Sequence, residues 1–469
     1  MLFNSLQFLV FFVFVSCSYF VLAQRFRWML LLAASCFFYM SFIPEYIFIL
    51  GFTILIDYFA GILIEQSEGR RRKNFLILSL VANIGVLAVF KYYNFFTEQI
   101  NSGLRPESPD ALLPVLDILL PIGLSFHTFQ AMSYTIEVYR GRQKAERNFG
   151  IYALYVMFYP QLVAGPIERP QNLLHQFYER KYFDFDNFKS GISLMIFGFF
   201  KKVVIADRLS MAVDVAFGNP EEQSGLSLLI ATFFYAFQIY CDFSGYADIA
   251  IGAARIMGFQ LMENFRNPYF AVSLADFWRR WHISLSSWFK DYLYLPLGGN
   301  QGSGVRHCRN LLLVFLLSGL WHGANYTFLA WGFLHGVLLC IAVMKNKWIG
   351  QAGIRPWNSP FTKPLNMVFT FALVCLSWVL FRAENIHDAL LIYTRILSLT
   401  DHDTINLGLH RTEMILCFFL IVILCFMEYF KPLQTIKTPL TFYLSHLCIL
   451  LICYFFGVFN LKQFIYFQF

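Results

Sequence analysis

The residues of this sequence best suited to chemistry are two histidines in an apolar stretch. The segment LSGLWHGANYTFLAWGFLHG, residues 317–336, contains His322 and His335. An ionisable side chain is costly to bury in a segment as apolar as a membrane span, and by default it indicates a function. Such an imidazole can serve as packing, as a metal ligand, or as a general acid or base near neutral pH.

The depth of His322 follows from counting along a helix. Arg309 marks the nearest cationic end of the segment, and His322 lies thirteen residues later. At 1.5 Å per residue this is about 20 Å, which brings His322 near or just past the midplane of a bilayer. Gly319 and Gly323 flank the histidine and allow another backbone or a substrate to approach closely. This position favours a single catalytic imidazole.

His335 does not extend this arrangement into a metal site. It follows His322 by thirteen residues, roughly 220° around an ideal helix, so the two rings do not share a face of one unbroken helix. The sequence contains no Cys/His cluster with zinc spacing and no H-E-x-x-H pattern. We therefore expect no metal, and we interpret His335 as a structural residue.

A second candidate region is basic and aromatic. FWRRWHISLSSWFK, residues 277–290, contains Arg279, Arg280, Trp281 and His282. Cationic and aromatic residues are typical of helices anchored at a membrane surface. The same charges would attract an anionic substrate, such as a phosphate-bearing cofactor, and the two interpretations are compatible.

Other polar residues in apolar surroundings are weaker candidates. Asp242 and Asp248 lie in YCDFSGYADIAIG, residues 240–252, either as buried structural acceptors or as ligand contacts. The structural interpretation is favoured because no metal-binding partner is visible, and Asp242 is kept as a candidate substrate contact. Trp321 and Asn325 add polar groups beside the deep histidine.

The elements that must position these residues are membrane helices. The chain has 469 residues, of which 58% are hydrophobic and 14% charged, whereas soluble domains carry roughly 25% charged residues. Long apolar blocks predict an all-α, polytopic transmembrane protein with about 10 to 13 membrane segments, some of them re-entrant. The net charge of +7 reflects basic loops and does not indicate nucleic-acid binding.

Clusters of arginine and lysine give the predicted orientation. They follow the first, third and fifth apolar blocks, the last of which is placed near Leu112–Tyr134. Cytoplasmic loops carry the excess of such residues, so the N-terminus is expected outside. Basic residues beyond the deep histidines favour a return to the cytoplasm, which needs a hairpin or a pair of short helices across Leu311–Val343.

We expect one integral-membrane domain, residues 1–469, with three regions. Ordinary spans occupy 1–135, a core with broken or re-entrant helices occupies 139–345, and further spans occupy 365–460. In the core, Gly, Pro and charged residues interrupt the apolar stretches. Broken backbone at membrane depth is tolerated only where protein buries it or water lines it. The core is therefore expected to form the site.

The motifs of the core resemble those of the membrane-bound O-acyltransferase (MBOAT) family. They are DFSGYADIAIGAARIMGF, MENFRNPY, FWRRWHISLSSWFKDYLYLPLGGN and LSGLWHGANYTFLAWGFLHG. Upstream, LPIGLSFHTFQAMSYTIEVYRG and YPQLVAGPIERP extend the match, which covers roughly residues 1 to 345. Within the family, the sequence is most similar to the bacterial branch of the alginate O-acetyltransferase membrane subunit.

The resemblance implies a fold and a catalytic pair. The family fold is a ring of tilted helices around a central funnel, with the catalytic histidine at the bottom. The essential histidine of the family's W-H-G motif corresponds to His322, and a second family histidine, in F-W-R-R-W-H, corresponds to His282. The expected substrate contacts lie around these two residues and are Arg279, Arg280, Trp281, Trp321, Asn325 and Asp242.

The resemblance also implies a reaction. A cytoplasmic thioester, acetyl-CoA by default or an acyl-carrier protein as the alternative, would supply the acyl group, with no cofactor bound permanently. His322 would act as general base on an acceptor hydroxyl. Relatives serve extracytoplasmic polymers through a periplasmic or membrane-anchored partner of the SGNH type. We therefore expect a multi-pass protein of the bacterial inner membrane that acetylates alginate or a related exopolymer.

Several alternatives stay open at this point. Peptidoglycan or teichoic acid could be the acylated polymer, and a lipid could accept the acyl group without a partner protein. A polytopic transporter would also have broken helices and polar residues at the midplane. The absence of an inverted repeat and the lone deep histidine argue against a transporter. A scaffold that only anchors a polymer-forming complex would not need His322.

Overall fold

The computed structural model confirms the all-α, polytopic fold class. It describes residues 1–104, 112–118, 120–163, 165–351, 361–398, 404–430 and 438–459, and these contain helices and connections without strands. Within these ranges, seven helices are long and apolar enough to cross a membrane. The larger total of 10 to 13 membrane segments, and the description of the chain as one domain, remain predictions.

The chain divides into two compact units, the first of which comprises Met1–Met195 and Ile249–Met262. Its elements begin with the expected N-terminal spans and continue into short helices. They are α1 (Leu6–Val21), α2 (Gln24–Met40), α3 (Tyr46–Gln66), α4 (Gly69–Leu104), α5 (Leu124–Tyr139), α6 (Phe149–Met157), α7 (Tyr159–Leu162), α8 (Pro170–Leu173) and most of α9 (Phe185–Phe199).

The fifth span begins later than the sequence suggested. Residues 112–118 are not helical, and α5 starts only at Leu124. The preceding residue, Gly123, has a φ of 75°, and a Cβ there would lie 2.5 Å from the carbonyl oxygen of Leu162. A left-handed residue in such close contact with another backbone cannot continue a helix. The expected start near residue 112 was therefore wrong.

The second unit comprises Ile196–Asp248 and Glu263–Phe469, and it contains every candidate site residue. Two π-helical segments, Phe200–Ala206 and Lys290–Tyr294, extend α9 and α13. The remaining helices are α10 (Asp207–Gly218), most of α11 (Gly225–Ile256), α12 (Leu274–Arg280), α13 (Ile283–Phe289), α14 (Gly304–His322), α15 (Tyr326–Gln351), α16 (Thr362–Arg382), α17 (Ile386–Leu397), α18 (Arg411–Phe430) and α19 (Pro439–Phe456).

Helix α11 corrects one detail of the expected broken core. The motif YCDFSGYADIAIG lies inside this continuous helix and does not interrupt it. Its glycine serves close packing, since a Cβ on Gly245 would lie 2.7 Å from the carbonyl oxygen of Gly198. A small residue in a helix allows a neighbouring backbone to approach. In the sequence, a glycine that serves such packing looks the same as a glycine that interrupts a helix.

Helices α14 and α15 form the hairpin that the basic residues indicated. A Cβ on Gly319 would lie 2.2 Å from the carbonyl oxygen of Phe328, and one on Gly332 would lie 2.3 Å from that of Phe315. Helix α14 ends at His322, and the chain reverses before α15. The angle of 220° between the two histidines therefore does not apply, because no unbroken helix joins them.

The glycine contacts of this hairpin generate a stability prediction. Gly332→Ala adds a methyl group against a carbonyl oxygen, so we expect the free energy of unfolding to fall by about 1–3 kcal/mol. Gly85→Ala is the matched control, because a Cβ at this position of α4 meets nothing within 4 Å. Alanine there should stabilise the helix by about 0.5–1 kcal/mol. Thermal unfolding of the purified variants measures both changes, and equal stability of the two variants would contradict the proposed contact.

Candidate active site

His322 ends α14 inside an aromatic enclosure. Its residue is 4% exposed, and its ring centroid lies 4.9 Å from Trp321, 5.3 Å from Trp331 and 5.0 Å from Phe381. The three rings stand at 73–88° to the imidazole plane. Such near-perpendicular contacts on several sides hold the imidazole in one orientation.

His282 occupies the connection between α12 and α13. It is 1% exposed and has a φ of 44°, a left-handed conformation that costs a residue other than glycine about 1–3 kcal/mol. Its ring lies 4.6 Å from Phe243 of α11 and 6.1 Å from Trp321. Strain of this kind persists only where surrounding contacts enforce it, and it is often found at functional sites.

Trp321 is the link between the two histidines. Its ring packs against the imidazole of His322, the next residue of α14. It also packs against the imidazole of His282, in the connection between α12 and α13. Two residues 40 positions apart in the sequence are thus brought to one indole. The structure assembles the pair that the motifs indicated, while the catalytic role of each imidazole remains a prediction.

A cavity of about 370 Å³ is lined by sequence neighbours of this pair, although the two histidines and Trp321 are not among its lining residues. The cationic side chains of Arg279 and Lys290 contribute to its lining. Ile283, which follows His282, and Ser318, one helical turn before His322, also line it. The cavity therefore joins the basic, aromatic region to the residues next to both histidines.

A second cleft, of about 540 Å³, carries the remaining arginine charge. Arg266, Asp276, Arg279 and Arg280 line it. The guanidinium of Arg280 donates from Nε to Asp276 Oδ1 at 3.0 Å. Partial burial alone would raise the pKa of Asp276, but this hydrogen bond, the amide of Val272 and the nearby arginine charges together lower it. Arg280 is thus engaged by a carboxylate, whereas Arg279 lines both openings.

Trp281 is a core residue in the structure. It is 1% exposed and packs against Trp378 at 5.0 Å and Phe277 at 5.5 Å. It is not one of the residues that line the two cavities described above. These contacts pack Trp281 into the core at the end of α12. They do not test whether Trp281 contacts a substrate.

Asp242 lies in a buried ion-pair network. Its Oδ1 is 2.6 Å from Nζ of Lys202, which is also 2.8 Å from Asp207 Oδ1. A neighbouring lysine, Lys201, pairs with Asp248 at 3.0 Å. Buried carboxylates are retained where a cation and hydrogen bonds compensate them. This geometry favours the structural interpretation of Asp242 but does not test a contact with substrate. The following residue, Phe243, packs against His282.

Asn325 and His335 are engaged in structural bonds. The side chain of Asn325 caps α15, since Oδ1 accepts from the amide of Thr327 at 3.0 Å, while Nδ2 donates to the carbonyl oxygen of Glu384 at 2.8 Å. His335 is fully buried, and its Nε2 lies 3.0 Å from the Ser377 hydroxyl. In the part of the chain that the structure describes, no three His, Cys, Asp or Glu residues cluster as a metal site would require.

Several neighbours of the histidines were not singled out from the sequence. Trp331 lies between the rings of His322 and His335, and Phe381 reaches the site from α16. Nothing local marks these aromatic residues among the 90 of the chain (56 Phe, 25 Tyr and 9 Trp). Asn264, in contrast, belongs to the MENFRNPY motif, and its buried contacts beside His282 could have been suspected from that motif.

The sequence profile described as MBOAT, membrane-bound O-acyltransferase family, matches residues 147–380. The probable alginate O-acetylase AlgI of Pseudomonas aeruginosa is 40% identical over 94% of this chain and 84% of its own length. That of Azotobacter vinelandii is 41% identical over 82% of this chain and 75% of its own length. The peptidoglycan O-acetyltransferase of Helicobacter pylori is 35% identical over 82% of this chain and 76% of its own length.

These alignments extend the similarity further than the motifs did. Coverage of 94% of a 469-residue chain must include residues beyond 345, where only length and hydropathy had suggested a match. The relatives are similar to this protein over most of both chains. The apolar helices and the buried histidine pair of the structure are consistent with the same family. The chain belongs to the membrane-bound O-acyltransferase family and is a multi-pass membrane acyltransferase.

Proposed function

We propose that this protein takes an acyl group, by default acetyl, from a cytoplasmic thioester and delivers it for O-acetylation of an extracytoplasmic polysaccharide. The observation that carries the proposal is the pair of buried histidines on Trp321 beside a cavity with cationic lining. Acyl transfer needs a general base, a group that stabilises the charge developing on the carbonyl oxygen, and access for the donor, and these features would supply all three.

The cavity supports a phosphate-bearing donor. Arg279 and Lys290 line it, and guanidinium and ammonium groups bind phosphate through charge-assisted hydrogen bonds. Acetyl-CoA and the phosphopantetheine arm of an acyl-carrier protein share this chemistry. Acetyl-CoA is the default donor, and the carrier thioester is the alternative. Neither is held permanently, since the acyl group is spent in each turnover.

His322 serves as the general base in this mechanism. It removes the proton of the acceptor hydroxyl, whose oxygen then attacks the thioester carbonyl. The tetrahedral intermediate collapses, the C–S bond breaks, and the imidazolium returns its proton to the departing thiolate. Because His322 is the last residue of α14, the partial negative charge of the helix C-terminus stabilises the imidazolium. His282 orients or polarises one of the reacting groups.

Alginate or a related exopolymer is the preferred final acceptor. The most similar relatives reported above are named as alginate O-acetylases, at 40–41% identity. The peptidoglycan O-acetyltransferase, at 35% identity, makes peptidoglycan the second candidate. Teichoic acid is the third candidate. A partner of the SGNH type, an inner-membrane location and an outside N-terminus complete the proposal.

One prediction of the proposed function concerns the base. We expect His322→Ala to lower acetyl transfer by at least about 100-fold, because positioned general bases contribute about 10²–10⁴-fold. Acetyl-CoA turnover by purified protein and polymer O-acetylation in cells lacking the native gene measure the loss. His335→Gln is the matched control, since this equally buried histidine bonds Ser377 and packs on the same Trp331.

The control should separate catalysis from folding. His335→Gln is expected to lower thermal stability while each folded molecule keeps most of its activity. His322→Ala should also unfold at a lower temperature, because it leaves a cavity among three aromatic rings, but its folded molecules should have lost acetyl transfer. Acetyl transfer by His322→Ala at the wild-type rate, with normal protein levels, would contradict the mechanism and favour a scaffold role. If the protein were a transporter, the purified protein would not cleave a thioester.

Another prediction of the proposed function concerns donor entry. Arg279→Gln and Lys290→Gln each remove one charge from the cavity lining, so we expect the KM for acetyl-CoA to rise about tenfold while kcat changes little. The rise should shrink at high salt because screening weakens the wild-type attraction. Arg411→Gln, an exposed position at the start of α18, is the control. Equal KM values in all three variants would contradict a donor site here.

A further inference from the structure

Residues 264–266 run beside His282 and clamp the backbone on both sides of it. The amide of Arg266 donates to the carbonyl oxygen of Arg280 at 2.9 Å, before the histidine. The amide of Ile283 donates to the carbonyl oxygen of Asn264 at 2.9 Å, after it. His282 thus lies between two hydrogen bonds to one short segment, residues 264–266.

The side chain of Asn264 strengthens the second of these clamps. Its Oδ1 accepts from the amide of Ser284 at 3.2 Å and from the hydroxyl of Ser284 at 2.9 Å. Asn264 and Ser284 are 1% and 0% exposed. Both residues that follow His282 therefore have their backbone amides bonded to the same asparagine, once through its main chain and once through its carboxamide.

This clamp acts on a strained residue. His282 is one of two non-glycine residues with positive φ in the described ranges, and the other, Asn267, lies in the preceding connection, before α12. A left-handed histidine relaxes unless its neighbours hold it, because the ordinary helical and extended regions are open to it. The next residue of the clamping segment, Phe265, also packs against the imidazole at 6.5 Å.

Burial of the Asn264 carboxamide has an unfavourable free energy. Its Nδ2 has no hydrogen-bond partner among the residues that the structure describes, although the group is buried. An unsatisfied buried donor is unfavourable, so an apolar residue would be preferred if packing were the only requirement. The oxygen of the same group makes both bonds to Ser284, which gives the reason to keep an amide here.

We propose that Asn264 is a positioning residue for acyl transfer, which holds His282 in its left-handed conformation beside Trp321 through the bonds to Ile283 and Ser284. The inference rests on the proposed function of His282 and adds a residue to which nothing above assigned a role. Asn264 does not touch the reacting atoms in this account. It acts through the orientation of the imidazole.

The test compares kcat and the donor KM of purified full-length variants with acetyl-CoA. Asn264→Ala loses the oxygen acceptor, and because a displacement of about 1 Å can cost about 100-fold, we expect kcat to fall about 10- to 100-fold while the donor KM changes less than about twofold. Asn264→Asp keeps an oxygen for Ser284 and should recover part of kcat. Ser284→Ala keeps the amide bond and should show a smaller loss.

Asn310→Ala is the matched control. Asn310 is equally buried, and its Nδ2 donates to the carbonyl oxygens of Leu297 at 3.2 Å and Gly299 at 3.0 Å. It should lower the unfolding temperature about as much as Asn264→Ala while kcat stays near wild type. A kcat of Asn264→Ala equal to that of this control, or no recovery in Asn264→Asp, would overturn the inference.

A second histidine variant separates this inference from the proposed function. His282→Ala with wild-type kcat would remove the proposed role of the imidazole itself, and the inference with it. An inactive His282→Ala beside a fully active Asn264→Ala would overturn only the role of Asn264. Loss in both, with recovery in Asn264→Asp, is the expected result.

Discussion

The close crossing of α14 and α15 is the constraint on which the site depends. Two glycines bring the backbones so near that a single methyl group would collide with a carbonyl oxygen. The crossing lies at Gly319, one turn before the end of α14, so the chain must reverse directly after His322. The imidazole therefore lies at the apex of a rigid hairpin, where α15 and α16 supply its aromatic neighbours.

Charge is distributed around this apex so that the imidazoles meet aromatic rings and the ions lie elsewhere. Buried carboxylates such as Asp242 are compensated within the helices by lysine, while Arg279 and Lys290 line the cavity. An acyl thioester is uncharged at its reacting carbonyl and anionic at its distant phosphate. The proposed donor fits this polarity, because its phosphate would meet the cationic groups and its carbonyl would meet the dry aromatic region.

The parts of this picture that the sequence predicted are those that depend on local pattern. Apolar blocks gave the all-α membrane class, and basic residues gave the hairpin around His322. The late start of α5 and the continuity of α11 were missed because each depends on a glycine whose partner is distant in sequence, Leu162 for Gly123 and Gly198 for Gly245. The aromatic neighbours from α15 and α16 were missed for the same reason.

The two histidines differ in how they are held, and this difference bears on the separate roles proposed for them. His322 is fixed by ring contacts at the end of a helix. His282 is fixed through its backbone, in a conformation that the chain would otherwise leave. A group held against strain gains from precise orientation more than from proton affinity, because any relaxation moves its nitrogen atoms away from the substrate. In the proposed mechanism, His282 would therefore align a reactant for His322, which contacts the same indole of Trp321.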